Sequence, residues 1–421
     1  MRPQLLSCAA FTFLVSFTAS VTTANDWPQF LGPNRNGVSA ETNLLDTFPE
    51  DGPEILWRQP LGPGMSGIAV AGDSVFTLYQ DAEKQYLIAL DVADGKKKWE
   101  QAVAPVYQNA MGNGPRATPT VHEGTVYAYT GEGILVAADA ETGKVAWSTN
   151  AVKELFGKVM DYGMASSPLI AGGNVVVQVG SHRGTVAAFD LKEGKLAWKA
   201  AEGDAGYSSP IIATLGGKQQ IIAFAGTEVL GIDSADGEVL WKHAYETDFG
   251  CNTACPLVIS EDRLLVSAGE NHGSTILKIT DSDGTLKASA EWESFGKESA
   301  LRAEWQTPVQ LDGHLYALDN MGSAGPITNL VCLRLSDHEK VWSEDRFGKS
   351  NLILADGKLF ISTMRGELLI ARASPKGFEE TARAIVLGMT RQAPVIANGK
   401  LYLRDEKEIV CLNVKASQEK E

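Results

Sequence analysis

One spacing recurs along this chain and limits its fold more than any other feature. Asp139, Gly143 and Trp147 stand four residues apart. Asp91, Gly95 and Trp99 repeat that spacing, as do Asp190, Gly194, Trp198 and Asp233, Gly237, Trp241. Around one copy, Thr118 to Val121, Thr125 to Thr130, Leu135 to Ala138 and Lys144 to Trp147 are short apolar or alternating runs separated by Gly-containing turns. That is the pattern of strands joined by hairpins. An Asp at the start of a turn can accept the turn's amide hydrogens, while Gly takes the positive φ that closes it. The Trp that follows carries a large apolar face to bury.

Later copies are eroded. Arg334 and His338 stand in for Asp and Gly before Trp342, Gly284 precedes Trp292 with an insertion between them, and no Trp follows Gly377. The repeat tryptophans from Trp57 to Trp342 lie 42 to 51 residues apart. A period of roughly 40–50 residues with four strands per unit marks a β-propeller. The segment from Ala393 to Val414 reads as three strands, and Ile55-Leu56-Trp57 is a lone strand at the other end. Joining the two completes a blade and removes the open sheet edge. Trp57, Trp99, Trp147, Trp198, Trp241, Trp292, Trp342 and Ile385 then mark eight outer strands. The expectation is an all-β chain: one eight-bladed propeller of four-stranded antiparallel blades over residues 55–414.

The flanks read differently. Met1-Arg2 is basic, Leu5 to Val21 is apolar, and Thr22-Thr23-Ala24 is a cleavage site, so residues 1–24 are expected to be a signal peptide. The protein is then exported, to the periplasm or outside the cell. Leu6-Ser7-Cys8 hints at lipid anchoring at Cys8, but the apolar stretch follows that cysteine instead of preceding it. Residues 25–54 hold Trp27 and Phe30 among several Pro and Gly, which suits an ordered arm clasping the blades. Residues 415–421 are a charged tail. No later run approaches the roughly 20 apolar residues of a membrane span. The net charge of −15 argues against nucleic acid and against anionic membrane surfaces. A monomer is expected.

The longer insertions all join an outer strand to the next inner one, so they emerge on one face of a propeller. Binding groups usually sit on such loops. Arg116, Tyr162, Tyr207, Asn252, Trp305, Gln306 and Arg391 fall there and are the candidate ligand-binding rim. Cationic and aromatic, the rim suits an anionic ligand that is planar or extended, or a protein partner. Each residue alone could equally be rim packing. The sequence assigns no catalytic residue and no metal ligand: no His pair has metal spacing, and no Gly-x-Ser-x-Gly elbow occurs. Cys251 and Cys255 share one loop and are a candidate bridge in an oxidising compartment, opposed by the strain of so short a ring.

The string from Ala138 to Trp147, ADAETGKVAW, resembles the pyrroloquinoline-quinone (PQQ) repeat. Its relatives here cover nearly all of 55–414. The resemblance implies an eight-bladed propeller of the quinoprotein dehydrogenase and BamB-like superfamily. Trp27-Pro28-Gln29-Phe30 and Tyr162 to Pro168 are similar to secreted propellers of planctomycete-type bacteria. The resemblance implies one of two functions: a non-catalytic binding or scaffold module, or a PQQ-dependent dehydrogenase oxidising an alcohol or sugar. The enzyme branch implies PQQ with calcium and usually two adjacent cysteines. No Cys-Cys occurs here, and Asn252, Glu304 and Asp161 are only the nearest residue types to a calcium set.

Overall fold

The computed structural model describes residues 25–322 and 326–416. The expected signal peptide, Cys8 and the end of the charged tail lie outside the described residues. The described chain forms eight sheets, seven of four strands and one of five. Blade 2 shows the unit: Thr120–His122, Thr125–Tyr129, Ile134–Asp139 and Val145–Asn150 pair in antiparallel sequence order. Blades 1 and 3 to 7 follow the same order over residues 69–105, 169–200, 211–244, 257–295, 309–344 and 350–385. Blade 8 takes three strands from 395–413 and its outer strand, Ile55–Pro60, from the front of the chain. The ring closes as the sequence implies.

Helix is confined to one turn among the described residues, Ala151–Glu154, whose Asn150 side chain caps it by accepting the Lys153 amide at 2.9 Å. The apolar cores lie between neighbouring blades. Phe76 and Leu87 of blade 1 pack with Val126 and Ala138 of blade 2, and Tyr129 of blade 2 packs with Val177 and Phe189 of blade 3. The last interface joins Phe360 of blade 7, Leu403 of blade 8 and Val75 of blade 1.

The repeated residues lock each blade to the next. The Asp139 carboxylate accepts the Thr142 amide at 2.8 Å, and Asp190 accepts the amides of Lys192 and Glu193, also at 2.8 Å. Asp91 and Asp233 accept the Ala93 and Ala235 amides in the same way. Trp99 donates its indole N–H to Ala140 O at 3.0 Å in the next blade, and Trp147 donates to Leu191 O at 2.9 Å. Trp57 and Trp198 repeat this with Val92 O and Ser234 O. The recurring spacing thus has a steric meaning. A Cβ on Gly143 would lie 2.5 Å from the Trp99 ring, and one on Gly194 would lie 2.4 Å from Trp147. Only Gly leaves room for the neighbour's indole while holding a φ of +72° or +66°.

The eroded copies use substitutes. Trp292 stacks on His338, ring centroids 4.6 Å apart, and His338 holds the positive φ of the absent Gly. Trp241 turns back to Gln220 of its own blade, at 2.5 Å. One sequence expectation is corrected here. Trp57, Trp147, Trp198 and Trp342 sit after a bulge, opposite Cys411, Ala137, Ala188 and Cys332. In blade 7 the residue in that register is Ala382, opposite Ile370, and not Ile385. Ile385 ends its strand 78% exposed, and blade 7 packs only the small Ala382 and Ala384 where the other outer strands dock a Trp.

The arm packs against the inner strands of the ring. Trp27 exchanges backbone hydrogen bonds with Val70 of blade 1, and Pro28 O accepts from Val121 of blade 2. Val38–Ser39 pairs parallel with Leu354 and Ala355 of blade 7, making the five-stranded sheet. Asn43 and Leu45 then bond Ala416 and Val414 beyond the last strand. Between these anchors Arg35 is buried, and its guanidinium donates to the carbonyls of Ser167, Pro168 and Pro210 on blades 3 and 4.

Candidate functional site: the axial cavity

The loops before the inner strands surround a cavity of about 220 Å³ on the propeller axis. Arg116, Tyr162, Tyr207, Trp305 and Arg391, five of the seven candidate rim residues, line it. A deeper chamber of about 100 Å³ shares Phe30, Met65, Arg116, Trp305 and Arg391 and continues down to Trp27 and Leu31. The arm is therefore the floor of the site, a role the sequence does not announce. Its signal is the aromatic pair Trp27 and Phe30 beside the left-handed turn at Leu31, Gly32 and Arg35.

Two candidates are not ligand-facing in the cavity. Asn252 is fully buried and lines neither chamber. Its Nδ2 donates to Ala225 O and Gly226 O at 2.6 and 2.9 Å, and its backbone carbonyl accepts the amides of Tyr207 and Ser208. These groups are used in stitching two loops together. Gln306 touches only the deeper chamber, where its amide donates to Thr307 O and accepts from Leu318 N.

Arg116 and Arg391 hold the mouth. Arg116 donates to the carbonyls of Gly112, Gly114 and Tyr162, and its guanidinium lies 4.7 Å over the Tyr107 ring. Burial pushes it down to about 10, still protonated at neutral pH. Arg391 donates to Met111 O and to Met65 Sδ, and lies 5.7 Å over Trp305. Neither arginine pairs with a carboxylate among the described residues. Lys349 also lies over Trp305, at 4.2 Å, but it is neutralised by Glu304 at 3.2 Å. Burial holds the Glu304 carboxyl above its usual range, with Lys349 opposing. Tyr162 and Tyr207 pack at 5.6 Å on the opposite wall, and burial raises the Tyr207 phenol to about 12. The cavity is an apolar, aromatic well whose two arginines have no carboxylate partner among the described residues.

The residues do not assemble a calcium site. Among the described residues no three His, Cys, Asp or Glu converge on one point. Asn252 is committed to carbonyls, Glu304 to Lys349, and Asp161 lies 3.8 Å from Lys158 on the surface. Cys251 and Cys255 are free thiols, so the candidate bridge is not formed. Cys255 points into the core beside Leu264, while Cys251 turns outward to Phe249 O at 3.7 Å. A flanking cleft of about 340 Å³ holds Asp248, Glu270 and Glu304 beside Phe249 and Phe295, and its charge is opposite to that of the axial well.

The family model described as outer membrane protein assembly factor BamB matches residues 104–344, more than half of the chain. The chain belongs to this family. BamB of Yersinia pestis is 23% identical over 283 residues, covering 67% of this chain and 69% of its own. The quinone alcohol dehydrogenase subunit of Gluconobacter oxydans is 35% identical over 229 residues, but those cover 47% of this chain and only 30% of that subunit. Two solved structures share the fold: the quinohemoprotein alcohol dehydrogenase of Comamonas testosteroni (TM-score 0.67, 13% identity, 94% of this chain and 81% of that one) and BamB of Moraxella catarrhalis (TM-score 0.57, 14% identity, 86% and 99%). The BamB-family repeat thus accounts for the blades. No helix among the described residues is long and apolar enough to cross a membrane.

Proposed function

We propose that this chain is an exported, non-catalytic BamB-family propeller that binds an anionic group in its axial well. The observation that carries this reading is the pair Arg116 and Arg391, which line the well together without a carboxylate partner among the described residues. A planar, doubly donating guanidinium is suited to a carboxylate, and Trp305 and Tyr162 offer flat surfaces beside it. An acidic peptide segment of a protein partner fits this chemistry, as does a small aromatic carboxylate. The relatives named assembly factors favour the first.

The alternative, a PQQ-dependent dehydrogenase, is favoured by the local 35% identity to an alcohol dehydrogenase subunit. Against it stands the donor set: Asn252, Glu304 and Asp161 each have other partners and do not meet. Supplying purified protein with PQQ, calcium and a panel of alcohols and sugars, with an artificial electron-accepting dye, separates the two. No dye reduction is expected. Substrate-dependent reduction would replace this reading with the enzymatic one.

A further inference from the structure

On the side of the ring where the arm leaves blade 8 there is a cavity of about 260 Å³, separate from the axial well. Asn25, Ala40, Glu41, Thr42, Asn398 and Gly399 line it, with Lys415 at its edge. Glu41 is the unusual member, a carboxylate only 7% exposed. One of its oxygens accepts the Gly399 amide at 2.6 Å, while the other is buried without any hydrogen-bond partner. A buried carboxylate oxygen left unpaired is costly, and the group that would satisfy it is a cation or a donor. Burial accordingly holds the Glu41 carboxyl above its usual range, opposed by the amides of Gly399 and Asn398 and by Lys415.

Asn25 forms part of the same cavity wall, and its position is fixed by the two residues after it. The Asp26 carboxylate accepts the Gly72 amide at 3.1 Å, and Trp27 is held to Val70 through both backbone groups. The expected cleavage site, Thr22-Thr23-Ala24, ends one residue before Asn25. We propose that removal of residues 1–24 creates the cation this cavity lacks: the new α-ammonium of Asn25 seats against Glu41. Hydrolysis of the Ala24–Asn25 bond adds one water, leaving a carboxylate on Ala24 and an ammonium on Asn25. The torsion at the end of a Glu side chain is broad, so the unpaired oxygen can turn toward the cavity. Seated there, the chain terminus would pin the start of the arm to the first hairpin of blade 8. Residues 25–416 hold all eight blades and the arm.

Intact mass of the protein recovered after export gives its first residue, and pH-dependent acylation of its α-amine gives that group's pKa. The charged or titratable groups facing the site are Glu41, Lys415, Tyr402 and Asp26. The expected first residue is Asn25. Its α-amine should titrate above the roughly 7.7–8.0 of a free one, and acylation at pH 7 should be about tenfold slower if that midpoint rises by about one pH unit. Glu41→Gln should return it to the free value, while Lys415→Met should leave it raised. A two-residue extension before Asn25, which keeps Glu41 but moves the amine away, should also titrate normally. A different first residue, or an α-amine that titrates alike in the parent and in Glu41→Gln, overturns the proposal.

Discussion

Trp198→Ala tests the physical basis of the ring. The Trp198 side chain is 7% exposed, donates to Ser234 O at 3.3 Å, and fills the space that a Cβ on Gly237 would invade at 2.6 Å. Its removal opens a cavity between blades 3 and 4 and frees a carbonyl. Core Trp→Ala changes cost about 3–5 kcal/mol, of which about 1 kcal/mol is the hydrogen bond. Trp305 is the control. It faces the axial well and is held by Lys349 at 4.2 Å and Arg391 at 5.7 Å, contacts of about 0.5–1 kcal/mol each. Equilibrium urea unfolding, followed by far-ultraviolet circular dichroism, should place Trp198→Ala at least about 2 kcal/mol below Trp305→Ala. Trp198→Phe should recover most of the loss, because it keeps a ring but not the N–H. Equal losses for Trp198→Ala and Trp305→Ala would refute the argument that the repeat tryptophans weld the blades.

Three further outcomes rest on the same contacts. Gly194→Ala, at φ +66° and with its Cβ 2.4 Å from Trp147, should lower the unfolding midpoint more than Gly217→Ala, where φ is +79° but nothing lies within 4 Å; the strain common to both is about 1–2 kcal/mol. Deleting residues 401–416 removes the partner of Ile55–Pro60, so scanning calorimetry should lose its cooperative endotherm, and an unchanged melting temperature would disprove closure. Maleimide should label Cys251 but not Cys255 in the native protein, and since burial lifts the Cys251 thiol to about 11, its labelling rate should climb from pH 8 toward that value; a 251–255 disulfide found by mass spectrometry would contradict the free thiols.

The blades are legible in the sequence because their signal is local. Asp139 and Gly143 make a turn within five residues, and Trp147 follows on the next strand. What lies between blades is less so. Ile385 suits the eighth marker by hydrophobicity, whereas the bulge before Ala382 sets the true register and shifts it by three residues. Asn252 stands at a rim position in sequence, but the carbonyls of Ala225 and Gly226 turn it inward. The arm is the largest omission. Arg35 reaches carbonyls 132 to 175 residues away, and no repeat or period announces such a contact. Loop position identifies the rim arginines, but their bracing by backbone carbonyls instead of carboxylates emerges only from coordinates.

The central claim is that the axial well takes an anion through Arg391. Arg391 is the better residue to change, because Arg116 also holds three loop carbonyls in place. Calorimetric titration with pyrroloquinoline quinone, used without calcium as a planar carboxylate, and with an acidic peptide gives the direct measurement. A hydrogen bond to a charged group is worth about 1.5–3 kcal/mol, so Arg391→Ala should weaken binding by roughly 10- to 100-fold. Glu270→Gln in the flanking cleft should leave it unchanged. Absence of binding by the parent to both probes, or binding that Arg391→Ala does not weaken, would contradict the account.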